Sequence, residues 1–97
     1  MKGRALQVLQ QAASEFVNRE SNRTSLITVT NVSMDNRGLN AEIYISVFPK
    51  ENTQAATEFL SRKRNDFREF MKKKLKLRAI PRVTFLADPN PAIGDTE

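Results

Sequence analysis

Apolar residues recur at helical spacing near the start of the chain. Leu6, Leu9, Ala13, Phe16 and Val17 fall on one face of a helix over residues 4–20, with Gln7, Gln10, Gln11, Ser14, Glu15 and Asn18 opposite. Ser21-Asn22 marks its stop. The period then changes to two. Ser25-Leu26-Ile27-Thr28-Val29-Thr30 is rich in β-branched side chains and predicts a strand over residues 25–34. Asp35-Asn36-Arg37-Gly38 has turn chemistry: Asp and Asn bond their own backbone, and Gly38 accepts a positive φ. From Leu39 to Phe48, Leu39, Ala41, Ile43, Ile45 and Val47 alternate with Asn40, Glu42, Tyr44, Ser46 and Phe48, which predicts a half-exposed strand and a hairpin. Pro49 ends the hairpin, and Asn52 or Thr53 is placed to cap a second helical segment running to about Lys76. Pro81 is a hard boundary, and residues 82–88 predict a third strand. The tail from Pro89 has no core pattern and is expected to be loose, so residues 1–88 form one domain and residues 89–97 a tail. Helix, strand, strand, long helical segment, strand makes a two-layer α+β sandwich, with a three-stranded sheet and helices on one face.

The long helical segment contains a conflict. Phe59 and Leu60 begin an apolar stripe that Phe67, Phe70, Met71 and Leu75 continue. In an unbroken helix, positions three and four after Leu60 share that stripe, and they hold Lys63 and Arg64. Two charges in the core are very costly. The pattern therefore predicts a kink near residues 62–66. Asn65 would supply a left-handed backbone step, and a second half-helix would start near Asp66, whose carboxylate suits its positive end. The competing reading is a straight helix whose long Lys and Arg side chains snorkel off its edge.

Charge sharpens this picture. The net charge is +5, but ten basic residues lie between Arg62 and Arg82, opposed there only by Asp66 and Glu69. A cationic segment of this density points to a polyanionic partner. A helix N-terminus flanked by Lys63, Arg64 and Arg68 would suit phosphate, because free N–H groups and cationic side chains converge there. The candidate RNA-binding residues are Arg62, Lys63, Arg64, Asn65, Arg68, Lys72, Lys73, Lys76 and Arg78. Plainer readings stand beside them. The run over residues 72–76 is also what a solvated helix face looks like, and Arg78 near Pro81 could equally anchor the fold. Tyr44 and Phe48 on the polar strand face either stack on RNA bases or pack against a loop.

Other chemistry is scarce. The chain has no cysteine and no histidine, which removes disulfides, thiol nucleophiles, most metal sites and most general-base schemes. Asp35, Glu42, Glu58, Asp66, Glu69 and Asp88 show no spacing of a catalytic pair or metal box, and the three glycines form no phosphate loop. No enzyme activity, cofactor, metal or small-molecule substrate is expected. Neither a secretory signal nor a stretch near the roughly 18 apolar residues of a membrane span is visible, so a cytoplasmic protein is expected. The alternative to RNA binding is a protein-interaction module that docks its basic helix on an acidic partner.

One family fits the order of these elements. Thr28-Val29-Thr30, Val32, Asp35, Ala41 and Ile43-Tyr44-Ile45-Ser46-Val47, followed by Phe67-Arg68, Leu75-Lys76-Leu77-Arg78, Ile80-Pro81, Val83, Phe85 and Asp88, resemble bacterial ribosome-binding factor A. The resemblance covers residues 4–94 and rests on order and spacing rather than on one motif. It implies a type II KH-like fold, with order α-β-β-α(kink)α-β. It also implies a monomeric factor that binds the small (30S) subunit precursor and 16S ribosomal RNA, supports late maturation and rRNA processing, notably in the cold, and leaves before translation. Two departures stand out. Lys63-Arg64-Asn65 occupies the place of the family's small Ala-x-Gly kink, and the chain stops soon after the third strand, short of the family's usual C-terminal continuation.

Overall fold

The computed structural model describes residues 2–20, 25–75 and 80–89. In chain order the elements are α1 (Lys2–Glu20), β1 (Leu26–Met34), β2 (Asn40–Phe48), a 3-10 turn (Lys50–Asn52), α2 (Thr53–Arg62), α3 (Arg64–Leu75) and β3 (Arg82–Ala87). The sheet order is β1-β2-β3, with β1 antiparallel and β3 parallel to the central β2. One face of the sheet carries the helices. Ile27, Val32, Ala41, Ile43, Ile45, Val47, Val83 and Phe85 are buried there against Leu9, Ala13, Phe16 and Val17 of α1, Leu60 of α2, and Phe67 and Met71 of α3. The α+β sandwich expected from the hydrophobic pattern is the fold formed.

Two irregularities shape the sheet. The first is a bulge. Val29 pairs with Ile45 and Asn31 with Tyr44, so Thr30 is an extra residue in β1. It resets the alternation, which is why Val32 can point inward in phase with Ile27 despite an odd separation. The second is the β1–β2 turn. Gly38 sits at φ 72, where a side chain would be strained, and its N–H donates to the Asp35 carbonyl at 3.1 Å. The Asp35 carboxylate accepts from Leu39 N–H at 2.8 Å and from the Asn40 side-chain amide at 2.9 Å. These bonds, led by the Asn40 amide, hold its pKa below the ordinary carboxylate value.

Some local expectations need correction. Leu39 does not share the core face with Ala41 and Ile43. It precedes β2, is half-exposed, and its carbonyl accepts the Arg82 N–H at 2.8 Å, which ties it to the start of β3. Asn52 stands at the start of α2 but does not cap it with its side chain, which reaches back to Ser25 Oγ at 2.9 Å.

Candidate nucleic-acid interface

The interruption in the basic segment falls on one residue. α2 ends at Arg62, α3 begins at Arg64, and Lys63 between them has φ −96 and ψ 10. The Lys63 N–H donates to the Leu60 carbonyl at 3.0 Å, a tight turn that takes the acceptor an unbroken helix would offer to residue 64. Its own carbonyl accepts the Phe67 N–H at 3.0 Å, the first bond of the new helix. Leu60 and Phe67 are thereby both fully buried, while Arg64 is exposed and Lys63 is turned aside. The straight, snorkelling helix is not what forms. Asn65 plays no left-handed role. It lies inside α3, and the break needs only a bridge-region conformation that lysine adopts without strain. The second half-helix also begins at Arg64 rather than near Asp66, which sits in its first turn.

Aromatic packing fixes where α3 lies. The Phe67 ring is 5.0 Å from Phe16 of α1 and 5.8 Å from Phe85 of β3, and Phe70 is 5.7 Å from Phe16. With Phe67 and Met71 inward, Arg64, Arg68 and Lys72 follow at helical i, i+4 spacing along another stripe. The N-terminal part of that stripe stands beside the start of β3. There Arg64, Asn65, Arg68, Pro81, Arg82 and Val83 line an open groove of about 280 Å³. Ser61, Arg62, Arg64 and Asn65 line a second hollow next to it. Arg64 Nε donates to the Ser61 carbonyl at 3.2 Å, which orients its guanidinium at the junction.

The candidate cations divide by their partners. Lys63 is partly exposed, as a kink cation should be, but it is shared between two carboxylates. Its ammonium lies 3.8 Å from Glu20 of α1 and 3.8 Å from Asp66, and over the Phe59 ring at 5.6 Å. Lys72 pairs with Glu69 at 3.5 Å on the surface, a weak and solvent-screened contact. Lys74, outside the expected set, pairs with Glu15 of α1 at 2.6 Å. By contrast, Arg62, Arg64, Arg68 and Lys73 make no ion pair among the described residues, and neither does Arg82. Arg82 is not among the candidates, although its outward place beside inward Val83 follows from strand alternation. Its helical neighbours do not. Lys76 and Arg78 lie outside the described residues. Three guanidiniums around one groove repel each other, a cost that an anion would relieve.

Tyr44 and Phe48 lie away from this groove, on the face of the sheet opposite the helices. The Tyr44 hydroxyl donates to Glu42 at 2.8 Å, and that bond, with the nearby negative charges of Glu42 and Asp88, raises its pKa. Carboxylates beside the ring make it a poor platform for a nucleic-acid base. Among the described residues, no cluster of three or more metal-ligating side chains occurs, and no helix is long and apolar enough to cross a membrane.

Comparison with known proteins agrees with this architecture. The family model described as ribosome-binding factor A matches residues 2–96. No curated protein matches the chain. The crystal structure of ribosome-binding factor A from Thermus thermophilus superposes with a TM-score of 0.80 at 24% identity, covering 90% of this chain and 94% of that one. A Thermus thermophilus ribosome binding factor A model, fitted into a cryo-EM map of a 30S complex of that protein, gives 0.74 at 24% identity over 84% of this chain and 88% of that one. The solution structure of a Thermotoga maritima protein, provisionally assigned as a ribosome binding factor A, gives 0.74 at 20% identity over 98% and 92%.

Proposed function

The chain belongs to the ribosome-binding factor A family, and from that premise we propose that it binds the small ribosomal subunit by holding 16S rRNA phosphates in the Arg64–Arg68–Arg82 groove. The observation that carries this reading is the convergence of those three guanidiniums without a carboxylate partner among the described residues. Arginine suits the task, because its planar fork meets two phosphate oxygens at once and is more weakly hydrated than an ammonium. The first-turn N–H groups of α3 point the same way as the stripe's start, and Asn65 adds an uncharged side chain on the groove wall. Arg62 and Lys73 extend the field around the groove, and Lys72 joins it when RNA displaces its screened pairing with Glu69. The factor works without catalysis, as a cytoplasmic monomer, on the subunit precursor during late maturation and rRNA processing, with its greatest effect in the cold. A 30S complex of the Thermus thermophilus relative supports the choice of particle.

The test is co-sedimentation of Arg64→Glu/Arg68→Glu with small subunits, with Arg37→Glu in the hairpin turn as the control. The groove variant should leave the subunit fraction while Arg37→Glu stays. A folded groove variant that still co-sediments would remove the groove from the reading. Retention after ribonuclease treatment, on a purified acidic protein, would favour a basic helix docked on protein instead.

A further inference from the structure

The sheet face opposite the helices has no element over it among the described residues, and its character differs from the groove's. At one end Leu26 and Phe48 are cross-strand partners, 64% and 72% exposed. Single exposed apolar residues are ordinary, but these two are adjacent on the same face, where directly opposed side chains touch. Tyr44 and its neighbour Leu86, both half-buried, continue the surface across β2 and β3.

The charge on this face is negative and held in place. Glu42 accepts hydrogen bonds from Ser33 Oγ at 3.3 Å and from the Tyr44 hydroxyl at 2.8 Å. Asp88 follows β3, and its N–H bonds the Ile45 carbonyl at 2.8 Å, which sets it beside Ser46. From there its carboxylate reaches over β2 to the bulged Thr30, whose hydroxyl donates to it at 2.5 Å and also contacts the Tyr44 carbonyl at 3.3 Å. The bulge thus fixes a carboxylate above the middle of the sheet, at the level of Tyr44 and Ile45, between three and four strand residues or roughly 12 Å short of Phe48. Arg82 is the one cation among the described outward positions of the three strands. It pairs with Asn40, roughly 26 Å along β2 from Phe48, where it serves the basic groove. Beyond Phe48, Lys50 and Glu51 offset each other.

We propose that this open face docks a basic segment of a protein partner, which lays an apolar side chain on Leu26 and Phe48 and a cationic one between Glu42 and Asp88 over Tyr44. Charge complementarity selects this occupant. A nucleic acid would bring phosphates against two carboxylates, whereas a cation gains both of them and the Tyr44 ring. Tyr44 and Phe48 are four residues apart on β2, roughly 13 Å, which fits a cation and an apolar residue four apart in an extended segment. The molecule then has RNA on one side and a basic protein on the other, and the second contact does not depend on the first.

The test is shift mapping of the full, isotope-labelled chain, with the peptide Arg-Ser-Thr-Ser-Leu as the probe. The amides of Leu26, Tyr44, Phe48 and Asp88 should move with this peptide and stay still with its Glu-for-Arg counterpart. Phe48→Ser and Glu42→Lys, both at exposed positions, should each weaken the peptide by at least about tenfold. The affinity of Phe48→Ser for a single-stranded RNA oligonucleotide should change by less than about twofold, because Phe48 lies roughly 26 Å along β2 from the partner of the groove residue Arg82. The proposal is overturned if the arginine peptide leaves these amides unmoved or binds both variants as it binds the parent. It is equally overturned if the RNA oligonucleotide moves the same amides, or if dilution alone moves them, which would make the occupant a second copy of the chain.

Discussion

Removing groove guanidiniums should be readable as a number of counter-ions no longer released. Each phosphate neutralised contributes roughly 0.7 to the slope of log affinity against log salt for single-stranded RNA, and roughly 0.9 for a duplex. The groove holds Arg64, Arg68 and Arg82, none with a carboxylate partner among the described residues. The triple variant Arg64→Gln/Arg68→Gln/Arg82→Gln should therefore flatten the slope by roughly 2.1 to 2.7. Between about 50 and 200 mM salt, each lost contact removes roughly a 2.6- to 3.5-fold part of the salt dependence. Lys63→Gln provides the internal contrast. Its ammonium already stands 3.8 Å from both Glu20 and Asp66, so it has little counter-ion to release and should change the slope by less than about 0.3. Fluorescence anisotropy with a labelled single-stranded RNA, repeated across salt concentrations, reads the slope directly. The reasoning fails if Lys63→Gln flattens the slope as much as one groove arginine does, or if the triple variant leaves it unchanged while still folded.

Two further outcomes test the frame that presents the groove. Phe67 is fully buried between Phe16, Phe70 and Phe85, so Phe67→Ala should cost about 3–5 kcal/mol in urea unfolding and loosen α3 from β3. A loss under about 1 kcal/mol would mean that the ring cluster does not fix α3. The depressed pKa of Asp35 means that its ionised form is favoured in the folded chain. Its contribution is present above the ordinary carboxylate pKa and fades as pH falls through the lower folded value. The parent should thus lose stability relative to Asp35→Ala below about pH 4, and parallel acid-unfolding curves would contradict the hydrogen-bonded turn.

What the sequence made legible divides along a physical line. Burial is a local demand, so the period of apolar residues reveals it: α1, the inward residues of β2 and the break between Leu60 and Phe67 all follow from keeping charge out of the core. Partnership between elements leaves no period. Nothing in Thr28-Val29-Thr30-Asn31 marks the bulge, since neither glycine nor proline sits there, yet the bulge sets which side of the sheet holds Thr30 and so where Asp88 is anchored. Nor could spacing place Glu20 of α1 against Lys63, or Arg82 across from Arg64 and Arg68.

The fate of Lys63 joins the two kinds of information. Its position after Leu60 forces the helix to break, a consequence readable from one helix alone. Its charge is then absorbed by Glu20 and Asp66, which depends on how α1 docks. The residue that creates the interruption thus already has two carboxylates beside it. Its contribution is geometric: by ending α2 one residue early, it starts α3 at Arg64 and turns the Arg64–Arg68 stripe toward Arg82. Density of cations along the chain thus says less than their partners across the fold, which leave Arg64, Arg68 and Arg82 without a carboxylate among the described residues while Lys63 has two.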